Sequence, residues 1–437
     1  MPFGMASGWT AGNGASYQRT IDLDGRITGL ALPGADTIAL TYDAASRITR
    51  IKESGLPKKA FGYDALNRLT DYASGAATQT YTYDADGNRA SYAANGTSPV
   101  SLTYSYGKAS NRLHGIGGSW TESFTYDANG NMLSHSSPSA DYSYEYDARN
   151  RLVLSSSGAI GTTELINGLG QRTGKIGEDQ PTLFAYDEAG HLTGQYNSTG
   201  GLAEETVWLG DLPVAVLSPA GQFYVAPDHL GAPHQITNAS GAVVWFWDHD
   251  PFGNGLPTNA AGFAYNLRFP GQFYDARAKL HYNYFRDYDP NTGRYIESDP
   301  IGLAGGIYTY AYAGGNPVTR IDPLGTDCNR GELVTLTFDA VSELISELSN
   351  IEVDYINGPV EYIYQFGNTL ASQPQAFGQG ILAASQWNAN HPLPPTGYNT
   401  DSIYRQWAQQ SQQTAPELEL NSPFYRFVRW FSSLGNG

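Results

Sequence analysis

A tyrosine–aspartate repeat with a period of about twenty residues constrains the fold of this chain more than any other feature. Each unit has Tyr-Asp, a short polar turn and, in most copies, Arg or His followed by an apolar residue. Degenerate copies at Ile21, Tyr106 and Ile166 complete a series of nine units between about residues 15 and 200. Units of this length must stack on one another to bury their apolar faces. The clear copies have Tyr-Asp at 42–43, 63–64, 83–84, 126–127, 146–147 and 186–187.

Each unit predicts a β-hairpin. Apolar and polar residues alternate before the turn, as at Phe124 and Tyr126, which is strand periodicity. The 50 Gly and 31 Tyr of the chain suit short strands joined by tight turns. We interpret the repeated Tyr and Asp as scaffold; the alternative is that exposed tyrosines bind carbohydrate. Turn residues able to adopt a positive φ are Asn67, Gly87, Asn88, Gly130, Asn131 and Asn150.

Composition excludes several classes of protein. The net charge of -17 disfavours nucleic-acid binding, which requires clustered Lys and Arg. The single cysteine, Cys328, excludes an internal disulfide framework and a cysteine-based zinc cluster. The N-terminal segment lacks the pattern of an ordinary signal peptide, and no run of 18 apolar residues predicts a membrane span. We therefore expect synthesis in the cytoplasm, followed by export or secretion without a classical signal peptide, and no cofactor.

Residues 223 to 325 lack the simple period but contain carboxylate and imidazole groups. Asp228 with His229, and the run Asp248, His249, Asp250, can be read as metal ligands. Turn-capping aspartates and partly buried histidines explain the same residues more simply, so no metal is predicted. Trp245 and Trp247 alternate on a predicted strand and are interpreted as packing residues.

The repeats and the segment NLRFPGQFYDARAKLHYNYFRDYDPNTGRYIESDPIGL resemble the Rhs, or YD-repeat, family, which is related to the C component of toxin complexes. The resemblance covers about residues 2 to 325 and implies a mainly β protein whose hairpins stack into a large spiralling sheet, a partial shell. It divides the chain into a YD-repeat region (1–222), an RHS-associated core with a self-cleavage element (223–326) and a variable C-terminal domain (327–437).

The resemblance also implies self-cleavage after a Pro-x4-Asp-Pro-x-Gly-Leu element. The corresponding element here is residues 317–326, with Thr326 in place of the usual Leu, so the cut falls between Thr326 and Asp327 and is expected to be slow or lost. Peptide hydrolysis can use two carboxyl groups sharing one proton. By resemblance these are Asp299 and Asp322.

Arg294, which lies nearby in the sequence, is the candidate for holding or polarising the two carboxylates. Two alternatives remain open at this point. Asp287 and Asp289 lie on the same face of a predicted strand and form a second candidate pair. Asp-Pro is also a common turn sequence, so Asp299 and Asp322 can be purely structural.

The segment 327–437 differs in composition from the rest of the chain. It has eleven acidic residues, four arginines and no lysine, and its apolar spacing predicts a small, mainly α-helical domain. No motif identifies an activity, and its apolar helices equally suit a membrane-active cargo, a helical core or a docking peptide. The only candidates for acid–base or nucleophilic chemistry are Cys328, Glu343, Glu347, Asp354, Glu361 and His391.

Two functional hypotheses follow. In the first, the chain is a polymorphic toxin carrier whose shell encloses its own C-terminal domain as cargo and releases it by aspartyl autoproteolysis. An immunity protein and a secretion-system component are then expected partners; the shell itself binds no nucleic acid and has no membrane span. In the second, the chain is a truncated, non-enzymatic structural, cell-surface or carbohydrate-binding protein. The short repeat region, which begins at a Met where family chains extend further upstream, favours this alternative.

Overall fold

The computed structural model describes residues 6–108, 110–177, 181–260, 263–326 and 329–330. These residues fall into two units: residues 6–195 with 202–330, and the turn Tyr196–Gly201. In this turn the Asn197 side chain accepts hydrogen bonds from the backbone of Thr199 and Gly201. The strands are β1 Gly8–Thr10, β2 Ser16–Ile21, β3 Ile27–Ala31, β4 Thr37–Tyr42, β5 Ile48–Glu53, β6 Lys59–Tyr63, β7 Leu69–Ser74, β8 Ala77–Tyr83, β9 Arg89–Asn95, β10 Val100–Tyr106, β11 Leu113–Gly118, β12 Glu122–Tyr126, β13 Met132–Ser136, β14 Asp141–Tyr146, β15 Leu152–Ser157, β16 Ile160–Ile166, β17 Arg172–Ile176, β18 Thr182–Tyr186, β19 Leu192–Asn197, β20 Leu202–Leu209, β21 Leu212–Ser218, β22 Gly221–Pro227, β23 Pro233–Asn238, β24 Val243–Phe246, β25 Thr258–Asn259, β26 Phe273–Asp275, β27 Leu280–Asn283, β28 Arg286–Asp289, β29 Arg294–Tyr295, β30 Arg320–Ile321 and β31 Asn329–Arg330.

Strands β1 to β25 form one antiparallel sheet in which each strand pairs with the next along the chain. This confirms the prediction of a mainly β protein with a large sheet built from stacked hairpins. The sheet continues through residue 222 as far as Asn259, so the repeat region and the first part of the core share it. Strands β26 to β29 form a second, four-stranded sheet, and β30 pairs with β31.

The helical elements of the described residues are short 3₁₀ turns at Pro33–Ala35, Gly302–Gly305 and Ala313–Gly315. In this part of the chain no helix has the length and apolar character that crossing a membrane requires. The helical domain predicted for 327–437 lies outside the described residues, except for β31, and stays a prediction.

Most repeat turns share one geometry, set by the aspartate that follows the tyrosine; Asn167 takes the place of the aspartate in one turn, and the turn at Gly107 is one residue longer. The Asp43 backbone N–H donates to the Arg47 carbonyl, and one Asp43 carboxylate oxygen accepts from the backbone N–H groups of Ala45 and Arg47. The other oxygen binds the Arg47 guanidinium at 2.7 Å. Residues in the left-handed region complete the turn, such as Asn67 with φ of 65°. The nine predicted turns are all present, and equivalent turns follow at Asp228, Asn238 and Asp250.

The predicted turn asparagines divide into two groups. Asn67 and Asn150 adopt positive φ, as expected. Asn88 and Asn131 do not, because Gly87 and Gly130 take that position in their turns. Their side chains donate instead to the carboxylates of the aspartates that begin the turns, Asn88 at 3.2 Å and Asn131 at 2.8 Å.

The repeated tyrosine connects each hairpin to the previous one. The Tyr42 hydroxyl donates to the Ile27 carbonyl at 2.6 Å, and the Tyr63 hydroxyl donates to the Ile48 carbonyl at 2.6 Å. Burial raises the pKa of Tyr42 to about 12, which keeps this hydroxyl protonated and able to donate. The scaffold interpretation therefore has a specific basis: the tyrosine ties one hairpin to the next. The same bond recurs at Tyr83, Tyr106, Tyr146 and Tyr186.

The later core segments contribute the largest buried side chains. Trp245 and Trp247 are each 1% exposed, which confirms their role in packing. They share a cluster with Tyr288, Tyr295 and Tyr312, which lie in or next to the segments that hold the candidate site. Burial of rings of this size contributes strongly to stability, so the site rests on a rigid base.

Candidate functional site

A buried arginine joins the two aspartates that the resemblance singles out. Arg286, the first residue of β28, places Nη2 3.0 Å from Asp299 Oδ2 and 3.3 Å from Asp322 Oδ2. All three residues are buried. Bringing two carboxylates to one guanidinium offsets their mutual repulsion, and pairing of this kind is what makes a buried charge tolerable. The structure thus brings Asp299 and Asp322 together at one point.

Asp322 is held by a dense hydrogen-bond network. The Tyr295 hydroxyl donates to Asp322 Oδ2 at 2.9 Å, and the Arg286 guanidinium lies 3.7 Å from the centroid of the Tyr295 ring. Asn283 Nδ2 donates to the Asp322 carbonyl at 2.8 Å and to the Tyr295 hydroxyl oxygen at 2.6 Å. Networks of this kind fix side-chain positions to a fraction of an ångström.

The segment that contains the predicted cut begins within this network. The Thr326 backbone N–H donates to Asp322 Oδ1 at 2.9 Å, and Arg286 Nε donates to the Gly325 carbonyl. A Cβ atom placed on Gly305 would lie 2.5 Å from Asp299 Oδ2 and 3.1 Å from the Thr326 carbonyl oxygen. The Asp299 carboxylate and the Thr326 carbonyl therefore border the same small space, which exists because residue 305 has no side chain.

Backbone contacts among neighbouring segments set these positions. The Asp299 N–H donates to the Thr309 carbonyl at 2.8 Å, and Arg286 Nη1 donates to the same carbonyl at 3.1 Å. The Phe285 N–H donates to the Leu324 carbonyl at 3.1 Å. The chain at Gly325 has φ of 71° and passes so close to β27 that a Cβ there would lie 2.7 Å from the Asn283 carbonyl oxygen. Only glycine fits both the conformation and the space.

Arg294 occupies a different place from the one predicted for it. Its Nη2 donates to the Asn111 carbonyl, and its guanidinium lies over the rings of Tyr310 at 4.7 Å and Tyr106 at 5.2 Å. Among the described residues it forms no ion pair with Asp299 or Asp322; the arginine that does is Arg286. The sequence interpretation therefore missed Arg286, Tyr295, Asn283 and Gly305.

The alternative pair, Asp287 and Asp289, does not form a shared site. Asp287 accepts a hydrogen bond from Arg172 Nη2 at 3.0 Å. Asp289 accepts from the Thr292 hydroxyl at 2.7 Å and from the Asn291 N–H at 2.9 Å, which makes it a turn cap. The two side chains lie on one strand, as predicted, but bind different partners.

Asp287 belongs to a second buried charge cluster that the sequence interpretation did not identify. Arg172 lies 3.2 Å from Glu164 Oε2 as well as 3.0 Å from Asp287. Burial raises the pKa of Glu164 to about 7, despite the opposing charge of Arg172. Burial and the charge of Asp287 raise the pKa of Glu297, whose Oε2 accepts the Asp287 backbone N–H at 2.8 Å. We interpret this cluster as the link between the repeat sheet and β28.

The residues considered as metal ligands have other roles. Asp228 and Asp250 cap turns, accepting from the backbone N–H groups two and four residues further along. His229 Nε2 lies 2.9 Å from the Val318 carbonyl oxygen, and the Asp248 carboxylate pairs with Lys59. Burial lowers the pKa of His249, whose ring lies 4.0 Å from that of Trp247. Within the described ranges no group of three or more potential ligands is positioned to hold a metal ion.

Comparison with known families and proteins adds an independent finding. The Teneurin YD-shell family model matches residues 34–305, more than half of the chain. Double-stranded DNA deaminase toxin A of Burkholderia cenocepacia is 41% identical over 129 residues, which are 28% of this chain and 9% of that protein. Toxin protein Tse5 of Pseudomonas aeruginosa is 38% identical over 117 residues, 26% of this chain and 9% of that protein.

A third relative is the probable deoxyribonuclease RhsB of Dickeya dadantii, 51% identical over 69 residues, 16% of this chain and 5% of that protein. The chain thus spans under a tenth of the length of each of these relatives. Among solved structures, the crystal structure of TcdB2-TccC3 without its hypervariable C-terminal region is similar over 73% of this chain and 21% of that chain. Its TM-score is 0.40 and its sequence identity 20%.

Proposed function

Because the chain belongs to the Teneurin YD-shell family, we propose that it carries residues 327–437 as cargo and releases them by aspartyl self-cleavage of the Thr326–Asp327 bond. The observation that carries this proposal is the joining of Asp299 and Asp322 by Arg286, with Asp322 bound to the Thr326 N–H. A turn-forming role alone explains neither the buried arginine between the two carboxylates nor their position beside the predicted cut.

The proposed reaction is hydrolysis by two carboxyl groups that share one proton. The ionised carboxylate removes a proton from a water beside Gly305, and the water oxygen attacks the Thr326 carbonyl carbon. The protonated carboxyl donates its proton to the Asp327 nitrogen as the C–N bond breaks. The products are a Thr326 carboxylate and a free amino group on Asp327. Arg286 keeps the two groups together without taking part in proton transfer.

The relatives support the carrier part of the proposal. They are named as toxins and as a deoxyribonuclease, and this chain matches only a small share of each. We propose that the shared part is the carrier and that 327–437 is an effector of its own kind, paired with an immunity protein. Release outside the cell requires that the chain be exported. Fractionation of a producing culture tests this: full export predicts the chain in the medium, and retention in the cells contradicts it.

Mass spectrometry of the purified chain tests cleavage and its position together. The wild type is expected to yield two fragments that separate between Thr326 and Asp327. Asp299→Asn and Asp322→Asn are each expected to leave an intact chain of 47.3 kDa. Each substitution keeps the shape of the side chain but removes the group that can exchange a proton.

Asp289→Asn is the matched control, because Asp289 is equally buried but caps a turn away from the pair. We expect it to cleave like the wild type. Circular dichroism confirms that each variant is folded. An intact wild type at every pH between about 2 and 8, a range that includes the one-proton state of known carboxyl pairs, would contradict self-cleavage. Loss of cleavage in Asp289→Asn with cleavage retained in Asp299→Asn would contradict the assigned pair.

A further inference from the structure

Two buried arginines line one small cavity away from the aspartate pair. Arg89, the first residue of β9, is 8% exposed, and Arg294, the first residue of β29, is 6% exposed. The cavity has a volume of about 40 Å³, whereas a single water needs only about 10–15 Å³ on the same scale. Its other polar lining groups are Tyr83, Asn88, Tyr106, Thr292, Tyr308, Tyr310 and Tyr312.

The two arginines differ from the other buried arginines of the site in having no carboxylate partner. Arg172 and Arg286 form ion pairs at 3.0 Å, whereas Arg89 and Arg294 form none within the part of the chain that the structure describes. Arg89 lies over the rings of Phe252 at 4.2 Å and Tyr81 at 4.8 Å. Arg294 Nε is buried and has no hydrogen-bond partner among the described residues.

Two carboxylates of neighbouring segments cap turns. Asp250 caps its own turn through Phe252 and Asn254, and Asp289 caps the turn at Thr292. Burial raises the pKa of Asp250 to about 6, so this carboxyl group is still mostly ionised at pH 7. Asp289 lies opposite Arg294 in the strand pairing, but its carboxylate binds the turn and forms no ion pair with Arg294 in the described residues.

Two observations indicate that both guanidinium groups lie beside the same cavity. A Cβ atom on Gly293, next to Arg294, would lie 2.3 Å from Arg89 Nη2. Burial raises the pKa of Tyr106, and the positive charges of Arg294 and Arg89 both oppose that rise, so both groups act on this one ring. Two like charges in a buried space are costly unless an opposite charge joins them.

We propose that this cavity binds a small oxyanion, of the size of phosphate or sulfate, between Arg89 and Arg294. Planar guanidinium groups present paired N–H donors that match the oxygens of such an anion. The hydroxyls of Tyr83, Tyr106, Tyr310 and Thr292 donate to other groups, so the two guanidinium groups supply the donors of the proposed site. The proposal is independent of self-cleavage, because the arginine paired with Asp299 and Asp322 is Arg286, and not Arg89 or Arg294.

Isothermal titration of the purified full chain with sodium phosphate, at constant ionic strength in sodium chloride, tests this site. We expect saturable binding at a single site, with sulfate competing and chloride not. Arg89→Gln and Arg294→Gln are each expected to weaken phosphate binding about tenfold or more, the loss typical of removing a hydrogen bond to a charged group. Phosphate should also raise the melting temperature of the wild type and not of the variants.

Arg149→Gln is the control for the loss of one positive charge, because Arg149 is exposed and does not line the cavity. It should bind phosphate like the wild type. If a glutamine variant fails to fold, Arg89→Lys and Arg294→Lys keep the charge but lose the paired donors, and are expected to bind more weakly. The proposal is overturned if the wild type shows no saturable phosphate binding, or if folded variants of both arginines bind as tightly as the wild type.

Discussion

The choice between two arginines shows how side-chain roles at the site depend on strand register. In the hairpin of β28 and β29, Arg294 faces Asp289 directly. Arg286 lies three residues further from the turn, on the side where the chain continues to Asp299. The two residues have the same chemistry and lie eight positions apart, so their type alone does not distinguish them. Only the pairing of the strands assigns Arg286 to the carboxylates and Arg294 to the tyrosines.

A pair of glutamine substitutions tests this assignment. Arg286→Gln is expected to lower the cleavage rate by about a hundredfold, since it removes a preorganised charge beside both carboxyl groups. Arg294→Gln is expected to lower it much less. The rates are measured as the loss of intact chain with time after synthesis in a cell-free system. A larger effect of Arg294→Gln than of Arg286→Gln would show that the wrong arginine has been assigned.

At the scale of the element, the first three repeat turns are closed by an aspartate paired with an arginine, and the ninth turn has His191 in place of that arginine. The His191 ring nitrogens lie 2.8 Å from Asp187 and 3.0 Å from Asp211. Burial lowers the pKa of His191, but the hydrogen bonds to these carboxylates outweigh it and raise the pKa to about 9. The charged form is thus favoured by folding, and this turn has a pH dependence that arginine-closed turns lack.

The sign of this dependence follows from the raised pKa. Stability from His191 is fully present below its unfolded pKa of about 6.5 and is lost as the pH rises through about 9. At pH 6, His191→Gln should lower the free energy of unfolding by about 1 kcal/mol, a value reduced by partial exposure to solvent. By pH 10 the difference from the wild type should be mostly lost. Denaturant unfolding across this range measures it.

His191→Arg is the matched control for the titration. Arginine keeps its charge throughout, so the variant should retain the stabilisation at pH 10 that the wild type loses. A difference between wild type and His191→Gln that is the same at pH 6 and pH 10 would show that His191 acts through packing on Trp208, whose ring lies 4.5 Å away, and not through its charge.

At the scale of the whole molecule, repeat turns contact segments that lie far away in the sequence. Gly87, in a repeat turn, has φ of 85°, and a Cβ there would lie 1.9 Å from the Tyr308 ring. The Tyr310 hydroxyl similarly donates to the Gly130 carbonyl at 2.7 Å. The turns of the repeats thus support the segment 308–312, which in turn binds Asp299 and Arg286 through the Thr309 carbonyl.

Two glycine substitutions separate this packing from local strain. Gly241 has φ of 83°, and no atom lies within 4 Å of an added Cβ. Gly241→Ala should therefore lower the free energy of unfolding by about 1–2 kcal/mol, solely through the strain of alanine at a positive φ. Gly87→Ala introduces the same backbone strain. It should lower the free energy of unfolding by about 1–3 kcal/mol more than Gly241→Ala does, because the added methyl group displaces Tyr308. Denaturant unfolding of both variants gives the comparison. Equal losses would show that the contact with Tyr308 does not contribute to stability.

The sequence by itself determined the hairpins and their number between residues 15 and 200. These properties are local: strand alternation, Asp at the start of a turn and a residue of positive φ depend on neighbours only a few positions away. The family resemblance added Asp299 and Asp322 by position. Asn88 and Asn131 were assigned to the wrong turn role because an adjacent glycine takes the positive φ more readily.

Only the tertiary structure decided which charged groups meet. Arg286, Tyr295 and Asn283 reach Asp322 across separations of 36, 27 and 39 residues, and Arg172 reaches Asp287 across 115. No local pattern marks such pairs, because each arginine has the same intrinsic charge wherever it stands. Burial gives these pairs their importance, because a buried arginine without an opposite charge lowers the stability of the protein. The packing that places Arg89 and Arg294 together therefore also creates the site that we assign to an anion.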